Sequence, residues 1–189
     1  MLYFGGNAEA VSDSLELLNK AYAHCNLLLM VYRGYGHSDG TPGQQHFFDD
    51  AQALYQLRKN KNAKTHFIVV GRSLGSAIAT FLAAQQRVDQ LVLVTPFDSL
   101  SQIAQQKFPW LPTRWLLKHP FPSDVYARAI NAPVHIIMAE EDEIIPAYNT
   151  LRLKDAFVKI KPHFTHLARV SHNTVEGHPA YLTALGRRL

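Results

Sequence analysis

An apolar run rich in β-branched residues, His66-Phe67-Ile68-Val69-Val70, breaks off at Gly71, and a lone serine, Ser73, stands two residues later. Leu74-Gly75-Ser76-Ala77-Ile78-Ala79 then opens a helix of small residues. In that setting the pattern G-x-S-x-G puts the serine on a sharp turn, with its hydroxyl raised above the end of a sheet. Side chains at Gly71 or Gly75 would collide with the neighbouring strand and helix. The N–H of Leu74 lies at the helix N-terminus, where positive dipole density faces any negative charge that develops on a reacting oxygen. Stripped of this context, the five residues would describe an ordinary turn from strand to helix.

The rest of the chain alternates in the same way. Leu2-Tyr3-Phe4 reads as a short strand that ends at Gly5-Gly6-Asn7-Ala8. Ser12 or Asp13 is placed to cap a helix carrying Leu15, Leu18 and Tyr22. Asn26 to Tyr32 is a continuous apolar run, expected to be a strand buried on both faces. The turn-rich loop Arg33–Gly43 follows it, then a helix from Gln44 to Arg58 with Phe48, Ala51, Leu54, Tyr55 and Leu57 on its apolar face. Further strands are expected at Gln90–Val94, Val134–Met138 and His163–Val170, with helices from Pro146 to about Val158 and from Ala180 to Leu189. Such alternation predicts a single α/β domain over residues 1–189: a mostly parallel sheet with helices on both faces. Ser99–Ile130 is different, rich in Pro and aromatic residues. It predicts a lid of short, proline-broken helices across one end of the sheet.

Composition removes several function classes. The formal charge is +4, but the basic residues are scattered apart from Arg58–Lys64 and Arg187-Arg188. The first cluster suits a solvated helix end, and no nucleic-acid-binding motif accompanies it. One cysteine, Cys25, fits a reducing, cytoplasmic setting and reads as a small buried apolar residue. Leu27–Val31 is too short to span a bilayer. Met1 leads directly into strand-like residues, so no signal peptide is expected. No Cys/His cluster has metal-ligand spacing, and neither a metal nor an organic cofactor is expected.

In parallel sheets the reactive groups stand just beyond the carboxyl ends of strands. Those positions hold Gly5-Gly6-Asn7, Arg33-Gly34, Ser73, Asp98, Asp142 and His172. A serine hydroxyl becomes a nucleophile when a histidine takes its proton, and the histidine needs a carboxylate to fix its tautomer. Ser73, Asp142 and His172 occur in the order nucleophile, acid, base that α/β-hydrolases use. Of the ten histidines, His172 follows the last strand, and His178 is its rival. Asp142 competes with Glu140, Glu141 and Glu143 in its own turn and with Asp98 one strand earlier. The N–H groups of Asn7 and Leu74 are assigned as the oxyanion donors, since the Gly5-Gly6 pair lets backbone come close to a substrate oxygen.

These residues resemble the Bem46-like and ABHD-type serine hydrolases of the α/β-hydrolase superfamily. Leu2–Ala8 is similar to their oxyanion segment H-G-N-A, with Gly5 in place of the histidine. Tyr32-Arg33-Gly34-Tyr35-Gly36-His37-Ser38-Asp39-Gly40-Thr41-Pro42 is similar to their Y-R-G-Y-G-x-S-x-G-x-P loop. Glu141–Pro146 resembles the acid motif D-x-x-x-P, and His172-Asn173 the terminal H-N. The resemblance implies that Ser73, Asp142 and His172 form the triad, and it demotes Asp98. It implies hydrolysis of a small acyl ester or thioester through an acyl-enzyme. The alternatives are a peptidase-like amide hydrolase and an inactive hydrolase-fold binding protein. The lid aromatics Phe108, Trp110, Trp115 and Phe121, with Leu111 and Leu116, are candidates for an apolar acyl pocket and permit contact with a membrane surface, though most are expected to pack the lid on the core. The family also has strands ahead of its oxyanion segment. The sequence therefore reads as part of a longer protein whose first strands are missing, with the Asn26–Tyr32 strand left open along one edge.

Overall fold

The computed structural model describes residues 1–61, 66–108, 110 and 117–189. Its strands are β1 (Leu2–Phe4), β2 (Leu28–Met30), β3 (Ile68–Arg72), β4 (Gln90–Val94), β5 (Val134–Ala139) and β6 (His163–Leu167). They form one sheet in the order β2-β1-β3-β4-β5-β6, parallel throughout. The helices are α1 (Leu15–Ala21), α2 (Gln44–Lys61), α3 (Leu74–Gln85), α4 (Leu100–Lys107), α5 (Ser123–Ala127), α6 (Ala147–Ala156) and α7 (Tyr181–Leu185).

Side chains alternate across the sheet with the period of two that a strand imposes. Phe4, Val69, Leu91, Leu93 and Ile136 face one apolar core, with Phe48 of α2 and Ile78 and Leu82 of α3. Tyr3, Val70, Val92, Val94 and Ile137 face the other, with Leu18 of α1 and Leu185 of α7. Helix α3 is buried without a break from Gly75 to Ala83. A helix this short of polar side chains survives only with packing all round it. Phe81 stacks on Phe48 of α2 with ring centroids 3.9 Å apart.

From β1 the chain passes to β2 on one side and then returns to β3 on the other. That reversal opens a crevice between the carboxyl ends of β1 and β3, where Phe4 lies opposite Gly71. Gly5–Ala8 follows β1 and Ser73 follows β3, so both converge on the crevice.

Some boundaries depart from the sequence reading. β2 is three residues long, because its partner β1 pairs only over Leu2–Phe4. It lies at the sheet edge with Leu28 and Leu29 half-buried, and Val31 is 50% exposed rather than enclosed. Leu57 is exposed, since it lies nine residues, about two and a half turns, beyond Phe48 and so on the opposite face of α2; Phe47 takes its place in the core. Leu15 is also exposed. Neither Ser12 nor Asp13 caps α1: Ser14 occupies the cap position, and its hydroxyl donates to Glu9 instead. The last helix stops at Leu185, where a Cβ on Gly186 would come within 2.8 Å of the Ala21 carbonyl oxygen.

In the lid, Ser99 caps α4 by accepting the N–H of Gln102 at 3.1 Å, and α5 follows Pro122. Leu111, Trp115 and Leu116 lie outside the described residues. Among the described residues no helix is long and apolar enough to cross a membrane.

Candidate active site

Ser73 sits between β3 and α3 with φ 49° and ψ −117°. A side chain in that region costs of order 1 kcal/mol or more, and the neighbours must hold it there. The Ser73 N–H donates to the Val94 carbonyl at 2.9 Å, and the Ser73 carbonyl accepts the Ser76 N–H at 2.9 Å and its hydroxyl at 2.6 Å. The flanking glycines are fixed by close approach. A Cβ on Gly71 would lie 2.3 Å from the Gly75 carbonyl oxygen, and one on Gly75 would lie 1.9 Å from that of Phe4.

The sequence-predicted nucleophile, base and acid come together. His172 Nε2 is 2.9 Å from Ser73 Oγ. Its Nδ1 is 2.8 Å from Asp142 Oδ2 and 3.0 Å from Oδ1. An ionised Asp142 accepts only, so Nδ1 carries the proton and the lone pair of Nε2 faces the serine hydroxyl. Asp142 is aimed by its own turn, its Oδ1 accepting the N–H groups of Ile144 at 3.0 Å and Ile145 at 2.7 Å. Both side chains are nearly enclosed, 6% exposed for His172 and 4% for Asp142. The two loops that carry them run side by side: Glu140 N–H donates to Leu167, and Glu141 N–H to Val170, each at 3.0 Å.

The rivals lie elsewhere. Glu140 accepts the Arg169 N–H, Glu143 accepts the His172 N–H, and Glu141 is exposed. Asp98 is buried against α4 and α6: its Oδ1 accepts from Ser99 N–H at 2.7 Å and Asn149 Nδ2 at 2.8 Å, and Arg152 Nε stands 3.3 Å from its Oδ2. Burial pushes the Asp98 carboxyl above its ordinary range, against the pull of Asn149, Ser99 and Arg152. His178 is half-buried and its Nδ1 accepts the Ala180 N–H at the start of α7.

The loop after β1, which carries Asn7, is tied down residue by residue. Tyr32 hydroxyl donates to the Gly5 carbonyl at 2.7 Å, Gly6 N–H donates to Glu9 Oε2 at 2.6 Å, and Tyr35 hydroxyl donates to Asn7 Oδ1 at 2.5 Å. Ala8 adopts φ 59°, a left-handed conformation that a free alanine avoids. Asn7 and Leu74 both border the cavity at Ser73, and no described residue accepts a hydrogen bond from the backbone N–H of either. Burial alone would raise the Glu9 carboxyl, but the donors Gly6, Tyr3 and Ser14 and the Arg72 charge outweigh it and hold it below the usual range. Sequence reasoning missed Glu9, Arg72, Tyr32 and Tyr35 as supports. Tyr32 and Tyr35 stood in the quoted loop motif, whereas Glu9 and Arg72 are 63 positions apart and carried no spacing signal.

The cavity at Ser73 has a volume of about 460 Å³ and mostly apolar walls, among them Phe47, Phe97, Leu100, Phe121, Ile144 and Ile145. Of the lid aromatics expected to form it, Phe121 does so. Phe108 and Trp110 are 47% and 76% exposed and pack edge-to-face on each other, and the rest of the wall comes from α2, the β4 end, Leu100 and the turn after β5. A larger hollow of about 640 Å³ beside β2 is lined by neither Ser73 nor His172. Among the described residues no group of three or more His, Cys, Asp or Glu is placed to hold a metal ion.

Residues 4–129 match the protein family described as the alpha/beta hydrolase fold. The chain is 35% identical over 179 residues to an uncharacterized protein of Mycobacterium tuberculosis, covering 93% of this chain and 63% of that one. It is 28% identical over 182 residues to protein bem46 of Schizosaccharomyces pombe, covering 92% and 61%. The chain thus spans less than two thirds of the length of these relatives. An esterase of Pyrococcus furiosus superposes with a TM-score of 0.75 at 19% identity, covering 98% of this chain and 79% of the other.

Proposed function

The chain belongs to the α/β-hydrolase fold family, and on that premise we propose that it is a serine hydrolase acting on acyl esters or thioesters. The observation that carries this reading is the continuous line of hydrogen bonds from Asp142 through His172 to Ser73 Oγ. His172 takes the Ser73 proton as Oγ attacks the substrate carbonyl, and Asp142 stabilises the imidazolium that forms. The oxyanion sits against the N–H groups of Asn7 and Leu74, the latter at the start of α3, where the helix dipole adds positive potential. His172 then protonates the leaving alcohol or thiol. Water deprotonated by the same histidine releases the acid from the acyl-enzyme.

The apolar cavity beside Ser73 favours an acyl chain over a charged or peptide-like substrate. Purified protein is to be assayed on p-nitrophenyl esters of increasing chain length, a matched acyl thioester and the p-nitroanilide. Ester and thioester turnover that varies with chain length, and that vanishes in Ser73→Ala, supports the reading. Faster cleavage of the anilide overturns the substrate class. A folded protein inert to all three points to the binding-protein alternative.

A further inference from the structure

We propose that Glu9 and Arg72 form a positioning clamp that sets the oxyanion loop against the serine elbow and the histidine loop. The inference rests on the serine-hydrolase reading and adds two residues that touch neither the nucleophile nor the carbonyl. Glu9 gathers donors from around the loop: Gly6 N–H at 2.6 Å, Tyr3 hydroxyl at 2.7 Å and Ser14 hydroxyl at 2.8 Å. Arg72, the residue immediately before the nucleophile, brings Nη1 to 3.3 Å from Glu9 Oε2 and 3.4 Å from Glu176 Oε1. Its Nη2 lies 3.5 Å from the His172 carbonyl oxygen. One guanidinium therefore touches the loop that carries Asn7 and the loop that carries His172, and its own backbone leads into Ser73.

Stability alone does not account for this arrangement. The side chains are 9% and 14% exposed, and an ion pair so enclosed gains little over apolar residues of the same size. What a carboxylate does that neither an apolar residue nor a glutamine can is accept on both oxygens at once, the Gly6 N–H (one residue before the Asn7 donor) and the Arg72 guanidinium on Oε2, and the Tyr3 and Ser14 hydroxyls on Oε1. The loop needs such a hold: Ala8 is left-handed, and the strand leading in has only three residues. A donor misplaced by a fraction of an ångström loses transition-state stabilisation while substrate binding in the apolar cavity is left intact.

The test is steady-state ester kinetics on Glu9→Gln, Arg72→Lys and the double variant Glu9→Gln/Arg72→Met with its two single partners. Affinity for an alkyl boronic acid, which mimics the tetrahedral intermediate, and the melting temperature are measured alongside. Glu9→Gln should lower kcat by about tenfold with KM within about twofold, and weaken the boronate by a similar factor. Arg72→Lys, which reaches one carboxylate at a time, should lose about threefold in kcat. The Glu9→Gln and Arg72→Met effects should be less than additive. A folded Glu9→Gln that keeps kcat and boronate affinity, an effect confined to KM, or full additivity overturns the clamp. If Glu9→Gln does not fold, Arg72→Lys is judged by the same readouts; if neither folds, the pair is structural and the proposal fails. Wild-type protein inert to ester and boronate alike would sink the serine-hydrolase reading, and the clamp with it.

Discussion

Replacing Gly75 by alanine probes how closely α3 is set against β1. The added Cβ would lie 1.9 Å from the Phe4 carbonyl oxygen, 2.4 Å from its carbon and 2.6 Å from the Gly5 carbonyl oxygen. All three are backbone atoms, so no side chain can swing away. Cβ atoms essentially never come nearer than 3.0 Å to such a neighbour, so the start of α3 must retreat by about 1 Å. Overpacking of this kind costs about 3 kcal/mol, and the better helix propensity of alanine returns at most about 1, leaving a net loss of about 2 kcal/mol. The same retreat separates the Leu74 N–H from the Gly5–Ala8 loop, and a misplacement of about 1 Å lowers rates by roughly 100-fold. Urea unfolding gives the first quantity, and the pseudo-first-order rate of fluorophosphonate labelling of the folded protein gives the second. A variant that loses stability yet labels at the wild-type rate would refute the claim that this contact sets the oxyanion donors. A variant unchanged in both would refute the packing argument itself.

Asp142→Asn should lower kcat about 10³-fold or more with the fold intact, whereas Asp98→Asn should stay within about threefold in labelling rate and lose stability in urea. A large loss of rate in Asp98→Asn would reverse that assignment. Stability should also fall in mild acid on account of His135, which is fully buried with Nε2 2.8 Å from Thr165 Oγ1. Burial first, then His163 and Arg187, lower its pKa from 6.5 to about 4. The unfolded chain therefore takes up a proton that the folded chain refuses, so this contribution is complete above pH 6.5 and is lost as pH falls through 4, about 3 kcal/mol at most. Urea midpoints at pH 7, 5.5 and 4.5 read it out, and a variant His135→Gln should flatten the trend. Phe121→Ala should enlarge the cavity at Ser73 and shift the preferred ester to a longer acyl chain, at a cost of about 3 kcal/mol in urea unfolding.

The elbow was readable because its meaning is local: a β-branched run, two glycines at positions where a Cβ would lie 2.3 Å or less from a backbone oxygen, and a small-residue helix lie within a dozen positions. Ser73 directly follows β3, and Asp142 and His172 lie in the loops after β5 and β6, so all three are at the carboxyl edge of the sheet that the alternation of strands and helices marks out. Burial at element edges was not. Leu57 and Val31 are as apolar as their buried neighbours, and only the placement of α2 and the position of β2 in the sheet decide their exposure. Asp98 and Asp142 look alike in sequence, and the difference lies in which side chains meet them. Ser14 was hidden for the same reason, because the carboxylate of Glu9, five residues earlier, takes the hydroxyl that a capping rule would assign to the helix.

The most direct test is intact mass after exposure to a fluorophosphonate, for the folded wild type and for Ser73→Ala. One adduct is expected on the wild type and none on the variant. No adduct on folded wild type, or an adduct that persists in Ser73→Ala, would contradict the assignment of Ser73 as the nucleophile.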